Sequence, residues 1–351
     1  MSHINSRLEK PYILSNEVYR LILEIDSYSK SLQILKRNFI GMNLNKARVI
    51  ILSTSSAGRM DNIQLNNKEV KRLYYKKNSH NCVLKSKDDK AVYSYMNILE
   101  KIFVEFNNMS IQESTILQIH KDALMFSVQD FSLLGNYRKN INLMDKADGN
   151  SQNAKADLVS QQMLELINWF NWANKKYNSS LVIANFIFEF LSIQPFQEGN
   201  IRMSMLLTHL MLLKVGHFFS LINSYENLIE KYQQQYQDAL EQSQKNLKTD
   251  QENIQPWVMF FLTILREQAQ KSIEFYEKHN CHEIGLSNKQ EIIFKCFKDN
   301  QKEYLTRKNI LEETKLNHRT VEASLKKLFT LELITRWGAG RGVRYKYNVI
   351  D

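Results

Sequence analysis

Apolar residues recur at helical spacing over most of this chain. Glu17-Val18-Tyr19-Arg20-Leu21-Ile22-Leu23-Glu24-Ile25 opens the pattern, and Lys68-Glu69-Val70-Lys71-Arg72-Leu73 resumes it. Between them, Ser53-Thr54-Ser55-Ser56-Ala57-Gly58 reads as a loop that interrupts the period. Asn78 to Asp88 is polar and reads as a linker. Beyond it the pattern predicts helices over Val92–Phe106, Ile116–Leu124, Leu158–Trp172, Leu181–Ile193, Met203–Lys214 and Trp257–Tyr276. Gln233–Gln244 is rich in glutamine. Its Tyr236 and Leu240 lie four apart, which predicts a helix with a polar face. The stretch Gly135-Asn136-Tyr137-Arg138-Lys139-Asn140-Ile141-Asn142-Leu143 opens on glycine and alternates weakly, which predicts a short hairpin.

The pattern changes near the end. Ser287 to Phe297 is periodic, Thr306 is placed to cap a second helix running to Thr314, and Arg319 to Leu331 sets Val321, Leu325 and Leu328 on one face. Leu333-Ile334-Thr335-Arg336-Trp337 and Val343-Arg344-Tyr345-Lys346-Tyr347 then alternate as two strands, joined by the glycine-rich turn 338–342. Three helices and a basic hairpin in this order resemble a winged helix-turn-helix.

Composition narrows the class. The chain has 351 residues, enough for two or three domains, and only 10 glycines and 3 prolines, which favours long helices. No apolar run approaches the ~20 residues of a membrane span, and the N-terminus lacks the apolar core of a secretory signal. The cysteines, Cys82, Cys281 and Cys296, are scattered and odd in number, so a cytoplasmic location is expected and no disulfide frame or metal cluster. Net charge is +10, and the segment from Leu286 onward has 14 Lys/Arg against 8 Asp/Glu, a net of +6. That concentration suggests a polyanionic partner for the C-terminal part, or else a solvated basic face.

The most informative stretch is Gln194-Pro195-Phe196-Gln197-Glu198-Gly199-Asn200-Ile201-Arg202, between two apolar helical runs. It resembles the signature loop of the Fic family, His-Pro-Phe-x-Asp/Glu-Gly-Asn-Gly-Arg. Proteins of that family mostly transfer AMP from ATP to a hydroxyl of a target protein. The resemblance implies an anion-binding helix start at Gly199 and Asn200, a phosphate clamp at Arg202 and a Mg²⁺ ligand at Glu198. Three positions depart from the pattern. Gln194 stands where the family has its general base, and an amide has no basic nitrogen at neutral pH. Ile201 replaces a glycine, where a β-branched residue resists positive φ. Met205 replaces a second arginine.

The resemblance runs over roughly residues 40 to 275. Leu117-Gln118-Ile119-His120 is similar to an upstream helix of the family, with His120 expected to be structural. Gly135, Tyr137 and Arg138 fall where the family has a hairpin flap that holds the target segment. Tyr236 falls where an adenine pocket would be lined, or is simply a packing tyrosine. Ala57-Gly58-Arg59-Met60-Asp61-Asn62 is similar to a degenerate inhibitory helix, with Asp61 in place of glutamate. Its family partner arginine is here Met205, so no arginine–carboxylate pair is expected at that site, and Asp61 reads more simply as a solvated or capping carboxylate.

The sequence therefore predicts an all-α Fic helical bundle with a short β-hairpin flap, followed by a small winged-helix domain of α+β type. The expected boundaries are 1–78 for an N-terminal helical extension, 79–280 for the Fic domain and 285–351 for the winged helix. Expected cofactors are ATP and Mg²⁺. Expected partners are a target protein, double-stranded DNA and a second copy, with no membrane. Duplex contacts would fall to Arg319, Thr320 and Lys326 on the third helix and to Arg341 and Arg344 in the wing, with Asn317, Arg319 and Thr320 nearest the bases. Three functions remain open: an AMP-transfer scaffold impaired by Gln194, a DNA-binding regulator whose helical core senses nucleotide or dimerises, and an active transferase with an altered base.

Overall fold

A computed structural model of the chain describes residues 7–10, 13, 15–36, 42–61, 63–77, 84, 86–125, 130–139, 158–280, 286–299, 304–331, 333–338 and 340–347. It divides into two compact units, residues 1–32 with 48–273, and residues 33–47 with 274–351. The elements in chain order begin with α1 (Asn16–Lys36), α2 (Met42–Met60), α3 (Asn67–Lys76), α4 (Lys87–Glu105), α5 (Glu113–Leu124) and α6 (Val159–Ala173). They continue with α7 (Ser179–Ile193), α8 (Asn200–Lys214), α9 (Tyr225–Lys231), α10 (Gln233–Gln244) and α11 (Gln255–Asn280). Among the described residues no helix is long and apolar enough to cross a membrane.

The first unit is built around α7 and α8, which pack on each other. α6 covers α7, while α4 and α5 cover α8. Every residue of α7 from Ser180 to Ile193 is buried, and so is every residue of α8 from Met203 to Leu213. Such all-round apolar helices belong at the centre of a bundle. Asn178 starts α7 by accepting a hydrogen bond from Ser180 N–H, and the left-handed Gln194, followed by Pro195, ends it.

A buried polar knot ties the start of the chain to this core. Arg7 Nη1 donates to Glu189 at 2.7 Å, while Arg7 Nε and Nη2 reach the two oxygens of Glu252 at 2.5 and 3.0 Å. Glu189 is nine-tenths buried, yet its carboxyl lies below the usual range. Burial pushes it up, but Arg7 and Lys248 pull it down by more. A second knot joins Glu226 to His209, Tyr95 and Ser224. Burial would raise the Glu226 carboxyl, but His209, Ser53 and Tyr95 hold it at about 2.

The structure corrects the expected loop at Ser53–Gly58, because α2 runs straight through it. The serines are buried and bond within the fold: Ser55 Oγ donates to Ile51 O at 2.7 Å, and Ser53 Oγ to Ser224 Oγ at 2.8 Å. A serine inside a helix can bond back to the carbonyl four residues earlier, as Ser55 does, and so stay within it. The expected linker also ends earlier than its pattern suggested. Ser86 and Asp89 form a reciprocal cap that starts α4 at Lys87.

The second unit holds α12 (Asn288–Asp299), β1 (Leu305–Thr306), α13 (Arg307–Thr314), α14 (His318–Thr330), β2 (Ile334–Trp337) and β3 (Arg344–Tyr347). The strands form one antiparallel sheet in the order β1-β3-β2. Thr306 caps α13 with Asn309 as its reciprocal partner, and Asn317 caps α14 by accepting from Thr320 N–H at 2.8 Å. The core is apolar: Ile293, Phe294, Phe297, Ile310, Val321, Leu325, Leu328 and Ile334.

Candidate functional site

The segment 194–199 joins the C-terminus of α7 to the N-terminus of α8, and each neighbour constrains it. Gln194 has φ +46° and Gly199 φ +82°. Gly199 is required on two grounds. A side chain there would be strained, and a Cβ would meet Leu124 Cδ1 at 3.0 Å. Asn200 staples the turn from within. Its Oδ1 accepts from Phe196 N–H at 3.0 Å, and its Nδ2 donates to Phe196 O at 2.8 Å.

His120, on α5, holds the segment from outside. Gly135 N–H donates to His120 Nδ1 at 3.1 Å, so the ring donates from Nε2 to Glu198 O, 3.2 Å away. The ring also lies flat on Phe196, with centroids 3.7 Å apart. Burial drives the imidazole down to about 4, which keeps the neutral tautomer that this bonding needs. His120 thus supports the loop, as expected, but it does so at the loop itself.

Arg138 is the other support. Its backbone N–H donates to Pro195 O at 2.9 Å, and its guanidinium donates to Gln194 O at 2.8 Å and Ile193 O at 3.2 Å. A cation on the last carbonyls of α7 suits the negative end of a helix. The hairpin flap expected at Gly135, Tyr137 and Arg138 falls only in part on the described residues. Residues 135–139 form no strand, and the Arg138 side chain is buried against the loop rather than turned outward. Positions 140–143 of that expectation lie outside the described residues.

The N-terminus of α8 presents backbone donors that are free among the described residues. The first intrahelical bond on this side runs from Met203 N–H to Gly199 O, so the N–H groups of Asn200, Ile201 and Arg202 precede it. Ile201 sits in the first turn of α8 without a positive φ, and its side chain is exposed. Glu198 is exposed beside the same helix start.

Arg202 forms an ion pair through Nε with Asp61 Oδ2. This overturns the expected solvated or capping role of Asp61. The carboxylate has found an arginine, the first of the motif rather than the second. Met205, where the second would be, is buried in the core. Arg59 positions Asp61, because its guanidinium grips both oxygens of Glu230 on α9 at 2.5 and 2.8 Å and so fixes the end of α2. The Asp61 carboxyl is raised. Burial outweighs the pull of Arg202, and Glu198 adds like-charge repulsion. Arg202 Nη1 is buried with no hydrogen-bond partner among the described residues.

Tyr236 is buried edge-on to Trp257 and Phe260, with centroids 5.5 and 5.9 Å away, and burial raises its hydroxyl. In the second unit, Arg319, Lys326 and Arg344 are exposed and Thr320 is partly buried. The side chain of Arg341 lies outside the described residues. Sequence reasoning missed Arg59 and Arg7 altogether, since nothing in their neighbourhood announces an ion-pair partner so far along the chain.

Comparison with known proteins bears directly on this loop. The Fic/DOC family model matches residues 110–212, the stretch from α5 through α8. The chain carries a Fic/DOC family domain. Solved structures share the fold at low identity. A Fic family protein from Desulfovibrio desulfuricans G20 aligns with a TM-score of 0.61 and 17% identity over 95% of this chain and 96% of that one. A Fic domain containing signaling protein from Bacteroides thetaiotaomicron VPI-5482 gives 0.58 and 20%, over 74% of this chain and 98% of its own. Fic-1 from C. elegans gives 0.56 and 14%, over 74% and 73%. Among curated proteins, no match to this chain was found. Residues 194–202 lie within the matched stretch.

Among the described residues no group of three or more His, Cys, Asp or Glu could hold a metal by itself. The donors present fit an anion: three N–H groups at a helix start and a buried guanidinium nitrogen without a partner. Glu198 fits a Mg²⁺ ion bound largely by phosphate oxygens, which needs only one or two carboxylates.

Proposed function

We propose that this chain is a Fic-type AMP-transfer scaffold that binds nucleotide phosphate and is strongly impaired in transfer. Gln194 carries the reading. It occupies the position that a general base takes in the family pattern, and an amide there can hydrogen-bond a target hydroxyl without removing its proton. A base typically contributes about 10²–10⁴ in rate, so losing it leaves binding largely intact and chemistry slow. Phosphates would lie on the N–H groups of Asn200, Ile201 and Arg202 and on Arg202 Nη1, with Glu198 available to Mg²⁺. Bound ATP–Mg²⁺ would supply the activated phosphoanhydride. The chain supplies position and charge neutralisation, and Asp61 must give up Arg202 before the clamp can close.

Calorimetry with ATP and Mg²⁺ tests the binding half. Saturable heat that disappears in Arg202→Ala supports the proposal, and no heat in either protein removes it.

A second activity is proposed for the second unit, favoured by its element order and by the exposed Arg319, Lys326 and Arg344. We infer a winged helix that contacts duplex DNA through the start of α14 and the β2–β3 hairpin. Affinity for random duplex should fall steeply with salt and weaken in Arg319→Glu/Lys326→Glu. Binding that ignores both would contradict it.

A further inference from the structure

The outer face of the three-stranded sheet carries aromatic chemistry that neither reading above uses, beside an arginine, Arg344, that the duplex reading shares. The register pairs Trp337 with Arg344, and Thr335 with Lys346, across β2 and β3. It pairs Thr306 with Arg344 across β1 and β3. Directly paired residues share a face, so Thr306, Thr335, Trp337, Arg344 and Lys346 lie together. Leu305, Ile334 and Tyr345 take the opposite, buried face. Tyr304, one residue before β1, joins the outer set: Lys346 Nζ lies 5.3 Å from the centre of its ring. Among the described residues of this face none is acidic.

Two large aromatics stand on it in solvent. Trp337 is 57% exposed and Tyr304 43%. Trp337 comes from β2 and Tyr304 from the residue before β1, the two outer strands, and their rings meet with centroids 6.1 Å apart and planes at 87°. Exposed tryptophan beside cations, with no carboxylate among the described residues of the face to balance them, fits a ligand that is both flat and anionic. We propose that this face binds an unpaired polynucleotide strand, its bases stacking on Trp337 and Tyr304 and its phosphates held by Arg344 and Lys346.

The ring geometry selects the unpaired form. Bases in a duplex are parallel, about 3.4 Å apart along a strand and turned away from the surface. Two platforms at right angles and 6.1 Å apart accept bases only from a strand free to unstack and turn. The shared chemistry covers DNA and RNA, and the probes below separate them. The inference does not depend on α14 reading a duplex, nor on nucleotide binding by the Fic loop.

The test uses the full chain and fluorescently labelled dT12, rU12 and a 12-base-pair duplex in anisotropy titrations at low salt. Binding of dT12 or rU12, tighter than duplex and weakened roughly tenfold or more in each of Trp337→Ala and Tyr304→Ala, is the expected result. The tighter of the two single strands identifies the sugar. Both aromatics are exposed, so these variants should fold, and unchanged circular dichroism checks this. Arg344→Ala and Lys346→Ala should flatten the salt dependence. The proposal is overturned if neither single strand binds, or if binding survives loss of both aromatics. It is also overturned if polyglutamate competes as well as dT12, since charge alone would then account for it.

Discussion

Asp61 and Arg202 form an ion pair that joins the end of α2 to the first turn of α8. The pair sits beside the N–H groups of the helix start, so the guanidinium placed to clamp phosphate is already engaged through Nε. Arg59 on Glu230 keeps it engaged by fixing the α2 terminus. Replacing Asp61 with Asn removes the charge and keeps the shape. Nucleotide affinity should rise roughly tenfold, the scale of one charge-assisted hydrogen bond released. Calorimetry of Asp61→Asn against the parent protein checks it. Equal affinity would mean that Arg202 does not meet phosphate.

Arg7 predicts a stability effect far from the loop. Arg7→Met takes the shared arginine from two buried carboxylates, leaving Lys248 on Glu189, a change that costs about 3–5 kcal/mol. Denaturant titration should show this loss. Adding Glu189→Gln and Glu252→Gln to the same protein should recover part of it, because the uncompensated charges are then gone.

The helices were largely legible in the sequence, because a bundle that buries α7 and α8 on all sides writes long apolar runs into the chain. The loop was legible through its resemblance to the Fic signature, and the structure shows what Gly199 and Asn200 do in it: one takes a positive φ and the other bonds across the turn to Phe196. The Ser53–Gly58 stretch was misread because serine content signals a turn only when the hydroxyls face water, and here Ser53 and Ser55 are buried and bonded. The Asp61–Arg202 pair was hidden for another reason. Family spacing points Asp61 at position 205. Which arginine it meets depends on how α2 approaches α8, which no local pattern encodes.

Acid should destabilise the fold in a defined window. Burial lowers both His120 and His217 from an ordinary value of 6.5 to about 4. Between those values the unfolded chain binds more protons than the folded one. The stabilising contribution is therefore full above 6.5 and is lost as pH falls toward 4. Each histidine accounts for about 3 kcal/mol across that window. Denaturant midpoints at pH 7.5 and 4.5 should differ accordingly, and His217→Gln should shrink the difference. An unchanged difference would contradict the assignment.

Gly199→Ala should both strain the backbone and press Leu124, for a loss of about 1–3 kcal/mol. Adding Leu124→Ala relieves the contact but not the positive φ. The double variant should therefore still bind nucleotide more weakly than Leu124→Ala alone.

The most direct test of the account is incubation of the purified chain with labelled ATP, Mg²⁺ and a cell lysate, beside Gln194→His and Arg202→Ala. The account predicts that label transferred by the parent chain is no greater than by Arg202→Ala, and that Gln194→His gains transfer. Strong labelling by the parent chain that vanishes in Arg202→Ala would contradict it, since an amide at position 194 would then be no obstacle to the chemistry.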